Sequence, residues 1–197
     1  LKVWSFMKVI HLISGGDSGG AKTHVLSLLQ NLNQVITAQL VCFRDGPFAE
    51  EARRMGIPTM ICGGNNIPRQ CRALTKIIHD GGYQLIHCHG SRPNIVGALL
   101  PNPTGLPVVS TVHSDYKLDY MGRPFARLTF GAINAWALRH LDYRIGVSDA
   151  MVDLLIDRGF PPDKFYAIYN GIDFTPPPPQ GDRLDYLRSL GADVDAD

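Results

Sequence analysis

A chain of 197 residues with a 45% hydrophobic share holds enough apolar material for one well-buried domain, or a domain with a short tail. Its formal net charge of +1 leaves no electrostatic footprint for nucleic acid, so that class of partner is excluded. No apolar run reaches the roughly 20 residues that span a bilayer, and the opening LKVWSF lacks the long apolar core of a signal peptide. Met7 reads as an alternative start, with LKVWSF as an upstream extension. The cysteines Cys42, Cys62, Cys71 and Cys88 show no C-x-x-C spacing. They read as free, buried thiols in a reducing cytoplasm.

In chain order, MKVIHLI (7–13) predicts a buried strand. AKTHVLSLLQNL (21–32) predicts a helix, because Val25, Leu28, Leu29 and Leu32 recur on one face. AQLVCF (38–43) reads as a strand, DGPFAEEARRMG (45–56) as a helix closed by Gly56, and IPTMI (57–61) as a strand. IPRQCRALTKIIHDGG (67–82) is a helix with proline near its start and a Gly-Gly stop. QLIHCH (84–89), VVSTVH (108–113) and YRIGVS (143–148) supply three more strands. In PFARLTFGAINAWALRHL (124–141), Phe125, Leu128, Ala132, Ile133 and Trp136 form one apolar stripe, expected to face the core. Arg123, Arg127 and Arg139 read as a solvated basic face, or as contacts to an anionic acceptor or lipid head groups. After Asn170-Gly171 the character changes: TPPPP (175–179) favours an extended segment, and GDRLDYLRSLG (181–191) a short amphipathic helix. The expected division is one domain over 7–173, then a linker over 174–197 leading toward a further domain.

Strands that are apolar throughout, separated by helices, predict an α/β fold. This is a Rossmann-like three-layer α/β/α sandwich with a mainly parallel sheet. Right-handed crossovers bring every strand's C-terminal end to one edge, where such sheets bind ligands. Ser14 to Gly20, Arg44, His87, His89, His113 to Asp115 and Ser148 should therefore meet on one rim.

The loop ISGGDSGGAKTHV (13–25) packs four glycines into six positions between a strand and a helix. Amide groups and the positive end of the helix dipole there suit a phosphate, and glycines let the backbone approach it. The alternative is a tight turn that needs glycine for its own backbone angles. Gly15 and Gly20 match the P-loop separation, but Ala21 stands where that motif has lysine, and Lys22-Thr23 come one residue late. One residue rotates both by about 100° around the helix, which excludes the NTPase reading. The dinucleotide pattern fails too, since neither Gly15 nor Gly16 has a glycine two positions on.

His87 and His89 share one side of their strand. They read as packed histidines, as a ligand contact through His89, or as part of a metal site, for which spacing supplies no third ligand. His113 emerges at another strand end, where it could donate to a sugar oxygen, or be satisfied by local backbone.

GGDSGGAKTHV, LIHCHG, STVHSD, IGVSDAM and IYNGID, in that order over residues 8–174, resemble the N-terminal domain of family-4 glycosyltransferases. The resemblance implies the N-terminal half of a GT-B architecture, two facing Rossmann-like domains of a retaining enzyme. It implies a nucleoside-diphosphate sugar as donor, a hydroxyl acceptor and no metal or other cofactor. Gly16, Gly19 and Gly20 would lie under the donor diphosphate, and His113 beside the transferred sugar. Lys22, Thr23, His89 and Asp115 would fall on the acceptor side, and Asn170 and Gly171 toward the interdomain hinge. Asp17, carried in the loop, is a candidate acceptor base. The donor pocket's basic residues and E-x7-E element would belong to a second, C-terminal domain, so this chain alone is expected to be inactive. Its place is the cytoplasm, with peripheral contact to the membrane surface.

Two rivals stay open: a sugar-nucleotide epimerase of the same architecture, and a self-contained Rossmann-like binding domain. A dehydrogenase is disfavoured because AQLVCF runs into Arg44 where an acidic residue is expected.

Overall fold

The computed structural model describes residues 7–16, 20–64, 66–115 and 131–171, together with residue 188. Its elements are β1 (Lys8–Ile13), α1 (Gly20–Leu32), β2 (Thr37–Cys42), α2 (Pro47–Arg54), β3 (Thr59–Ile61), α3 (Ile67–Gly81) and β4 (Leu85–His89). Then come α4 (Ser91–Leu99), α5 (Pro101–Thr104), β5 (Val108–Val112), α6 (Ala132–His140), β6 (Tyr143–Gly146), α7 (Asp149–Asp157), a 3-10 turn (Pro162–Lys164) and β7 (Phe165–Ala167).

The strands form one parallel sheet in the order β3-β2-β1-β4-β5-β6-β7. From β1 the chain moves outward through β2 and β3, then returns to β4 and moves outward the other way. The reversal lies between β1 and β4, and a crevice at their C-terminal ends is the ligand position of such sheets.

Strand alternation divides the core between two faces. Ile10, Leu12, Ile86, Cys88, Val108 and Val112 join residues such as Leu74, Val96 and Leu138 from α3, α4 and α6. Ile13, Leu40 and Cys42 join Val25, Leu29, Phe48 and Ala52 from α1 and α2 on the other face. Burial on both faces is what makes β1 apolar without a polar alternate, apart from Lys8 at its exposed start and His11.

Local signals hold where sequence chemistry is sharp. Asn66 caps α3 by accepting from the Arg69 amide at 3.1 Å, and Gly82 stops that helix in a left-handed conformation at φ 63°. All four cysteines are free, three of them buried and Cys71 half-buried.

The structure departs from the sequence reading in two places. First, Phe165–Ala167, on which the sequence reading is silent, forms an edge strand three residues long and half-exposed. Second, Ala132, Ile133 and Trp136 face outward, while Asn134, Ala137 and Leu138 are buried. The reason is a polar ladder: Ser110 Oγ donates to Asn94 Oδ1 at 2.6 Å, and Asn94 Nδ2 donates to Asn134 Oδ1 at 3.1 Å. A buried asparagine, its Oδ1 bonded to Asn94, takes a core position that hydrophobic periodicity assigns to its neighbours. Phe125, Leu128, Arg123 and Arg127, and nearly all of the 174–197 linker, lie outside the described residues.

Candidate functional site

The glycine loop leaves β1 through Gly15, which adopts φ +86° and presses so closely on Arg44 that a Cβ would collide with the Arg44 carbonyl oxygen. The turn reading therefore explains Gly15. Gly20 is different: it opens α1, its φ is not left-handed, and a Cβ there would meet nothing within 4 Å. Backbone geometry does not require glycine at 20. Gly16 is exposed, and a Cβ on it would sit 3.6 Å from Arg44 Nη1, so a guanidinium stands beside the loop. Asp17 and Gly19 lie outside the described residues.

Lys22 turns away from the loop. Its ammonium meets Glu51 of α2 at 2.5 Å. Lys22, Thr23, Leu26 and Gln30 line a groove of about 370 Å³ against Glu51 and Met55. Asp115 is also engaged, its carboxylate gripped by both terminal nitrogens of Arg158, which ties the end of β5 to the end of α7. Ser148 has a local role: its hydroxyl accepts from the Met151 amide at 3.2 Å and caps α7. Asn170 and Gly171 are exposed where the chain leaves β7, at the far edge of the sheet from β1.

The rim's centre is a group of five histidines. The β1–β4 register sets His11 directly beside His87, with His89 two residues nearer the edge. His24 reaches in from α1, its ring 4.9 Å from that of His113 and 6.4 Å from that of His89. His113 follows β5, 6.1 Å from His89. His11 Nδ1 and His89 Nε2 lie 3.1 Å apart, and His87 Nε2 is 2.8 Å from Thr111 Oγ1. His87 lies against both partners, at 4.7 Å from His11 and 4.3 Å from His89.

Burial dominates their protonation. It lowers His11 to about 3 and His113 to about 4, with His24 adding a smaller repulsion to each. His87 and His89 are pushed well below the ordinary imidazole range by burial first and by the neighbouring histidines second. His24 is lowered by burial as well. At neutral pH the cluster is uncharged, able to give and accept hydrogen bonds but not to neutralise a diphosphate.

Sequence spacing offered no third metal ligand beside His87 and His89, and the structure supplies one in His11, all three within 4.8 Å. The rings do not chelate in this arrangement. The centroid separation of 5.4 Å between His11 and His89 equals their N···N distance plus two ring radii, and their planes differ by 11°. The two nitrogens thus point straight at each other, 3.1 Å apart. An ion between them would need about 2.0–2.1 Å to each, or roughly 4.1 Å in line. His87 is stacked on His89 at 28°, so its in-plane lone pairs run alongside and do not converge.

His11 and His24 are the residues that sequence reasoning missed. The signal was available: His11 precedes the end of β1 by two residues, just as His87 precedes the end of β4. Parallel strands in register put equal offsets side by side.

The sequence model of glycosyltransferase family 4 matches residues 18–175. The chain belongs to glycosyltransferase family 4. An Escherichia coli family relative, UDP-Gal:alpha-D-GlcNAc-diphosphoundecaprenol alpha-1,3-galactosyltransferase, is 25% identical over 178 residues, covering 80% of this chain and 43% of that enzyme. Anabaena HepE, solved with UDP-glucose, superposes with a TM-score of 0.75 at 20% identity, over 94% of this chain and 50% of that one. The UDP-GlcNAc 2-epimerase of Neisseria meningitidis superposes with a TM-score of 0.61 at 12% identity, over 82% of this chain and 46% of that one. The family-4 chain thus spans about half the length of its relatives. Its fold is that of the N-terminal Rossmann-like domain of a GT-B glycosyltransferase. No helix among the described residues is long and apolar enough to cross a membrane.

Proposed function

We propose that this family-4 domain is the acceptor-side half of a retaining hexosyltransferase. It would take a sugar from a nucleoside-diphosphate donor to a hydroxyl acceptor in glycan, glycolipid or cell-envelope synthesis, at the cytoplasmic face of a membrane. The observation that carries this reading is the placement at the β1–β4 reversal. The neutral histidines of β1 and β4 stand there, α1 opens at Gly20 after β1, and the Arg44 guanidinium lies beside Gly16 on the β2 side.

The division of labour follows from charge. The uncharged histidine wall suits sugar hydroxyls, whereas a departing diphosphate needs cationic groups or helix amides. We assign the loop Gly16, Gly19 and Gly20 to the diphosphate and His113 to the transferred sugar. The main donor grip belongs to a second domain facing this rim, beyond residues 7–173, with Asn170 and Gly171 on the path to it. Metal is not required in this scheme, because amides and cations stabilise the leaving group. Asp17 remains the candidate base. Of the acceptor-side set, the Lys22–Thr23 groove keeps that assignment, and His89, whose ring is 6.1 Å from that of His113, is placed where acceptor and transferred sugar meet. Asp115 would contact an acceptor only through a carboxylate already paired with Arg158.

Calorimetry of the chain with UDP and UDP-glucose tests the reading. Weak binding by the chain, and sugar transfer only when a second domain is joined to it, are expected. Tight binding by the 197 residues alone would mean a self-contained binding domain, and robust transfer by them would sink the two-domain assignment. The 2-epimerase neighbours share the fold, but the family match favours the transferase.

A further inference from the structure

The His11–His89 bond leaves two nitrogens with nothing to do. Among the described residues, His11 Nε2 and His89 Nδ1 are buried and without a partner, on residues that are 0% and 2% exposed. A neutral imidazole has one N–H and one bare nitrogen, so the 3.1 Å bond allows two patterns. If His11 donates from Nδ1, the bare nitrogen is His11 Nε2 and the spare N–H sits on His89 Nδ1. If His89 donates instead, the spare N–H is stranded on His11 Nε2.

The two ends are not equivalent. His11 lies inside β1, paired on both sides by β2 and β4, whereas His89 is the last residue of β4 at the rim. Buried N–H groups without an acceptor are rarer than under-used acceptors, because a stranded donor forfeits its full solvation. Either pattern buries one N–H, since both nitrogens are sealed. The first places it on His89, at the C-terminal end of β4 where the sheet's ligand crevice lies, and not in the middle of β1.

We propose that His11 fixes His89 as its Nδ1–H tautomer, and that this N–H donates to a hydroxyl oxygen of a sugar held at the rim. The identity of the ligand rests on the transferase reading; the tautomer does not. His11 is a positioning residue, and His87 shares that role. His87 stacks on His89 at 4.3 Å, and its own ring is held by Thr111 at 2.8 Å. A neutral donor matches a neutral oxygen. A phosphate would instead draw charged donors, of which Arg44 stands beside the loop.

Long-range proton–nitrogen spectra of the chain report each histidine's tautomer directly. The expected result is a protonated Nδ1 at His89 and a bare Nε2 at His11; the reverse assignment overturns the proposal. His11→Asn offers an amide N–H in place of Nδ1–H and should preserve the His89 tautomer, while His11→Leu should mix or invert it. If the leucine variant does not fold, the wild-type and asparagine spectra decide alone. Titration with UDP-glucose to its solubility limit should then shift the His89 Nδ1 resonance, and UDP should leave it in place. A shift with UDP alone, or with neither probe, overturns the sugar contact. A His89 that responds to UDP-glucose in a protein that transfers no sugar, even with its second domain joined, would refute the transferase reading and leave this inference standing.

Discussion

The rings of His11 and His89 lie within 11° of one plane and meet nitrogen to nitrogen at 3.1 Å, 78 residues apart in the chain. A further proton would have to go to a nitrogen off that line, and burial opposes the charge it would bring. The deep part of the site is therefore built on imidazoles kept neutral, and its chemistry depends on their staying so.

Acid should unfold this domain early. The unfolded histidines take up protons near their ordinary value of about 6.5, while folded His11 does so only at about 3 and His113 at about 4. The unfolded chain then binds more protons throughout that window, so stability is full above pH 6.5 and falls as pH drops below it. Each fully buried histidine can contribute about 1.4 kcal/mol per pH unit. Urea unfolding followed between pH 7.5 and 5 should show this decline, and a His11→Asn, His87→Asn double variant should flatten it. A pH-independent midpoint over that range would contradict the burial of neutral rings.

Gly15 and Gly20 should respond oppositely to alanine. Gly15→Ala forces a left-handed backbone on a side chain that also collides with the Arg44 carbonyl, and should cost about 2–3 kcal/mol of stability. Gly20→Ala meets open space in the first turn of α1 and should leave stability unchanged or raise it by about 0.4–1 kcal/mol. If ligand phosphate approaches there, the same change should weaken UDP binding by about tenfold. Thermal melts and calorimetry on the two variants separate a turn glycine from a contact glycine.

Asp115→Asn and Arg158→Ala should each destabilise the domain by about 2–4 kcal/mol, since either removes one half of a mostly buried ion pair. The double variant should cost less than the sum of the two. Additive losses in chemical denaturation would show that the pair is not acting as a unit.

Arg144 is 1% exposed and donates to the carbonyls of Leu138 at 2.5 Å and Leu141 at 2.9 Å, where α6 ends. Its guanidinium also lies over Phe160 and Phe165, at 5.9 and 5.6 Å. Arg144→Lys keeps the charge but loses the fork, and should cost about 1–2 kcal/mol; Arg144→Met should cost about 2–4 kcal/mol. A neutral result for Met in urea titrations would assign the residue to filling space.

The sheet was legible because its strands are apolar on both faces, and that pattern depends on burial alone. The rim was legible because parallel strands must end together. What escaped were contacts between distant residues of unremarkable type. Asn134 reads as a surface residue until Asn94 and Ser110 are brought beside it, which is why the stripe containing Trp136 was assigned to the wrong side of α6. Asp115 reads as a rim carboxylate until Arg158 arrives from α7. His11 reads as one polar residue in a strand, and only the β1–β4 register turns it into a partner. Pairings of this kind are set by topology, and a single sequence does not display topology residue by residue.

The central place of β1 carries a consequence for synthesis. Its second neighbour, β4, begins at Leu85, so during translation β1 first pairs only with β2. Until β4 emerges, one side of β1 presents unpaired backbone on a strand almost wholly apolar, the condition under which nascent chains associate wrongly. The strand that later anchors the histidine wall thus keeps one edge open until residues 85–89 have been made.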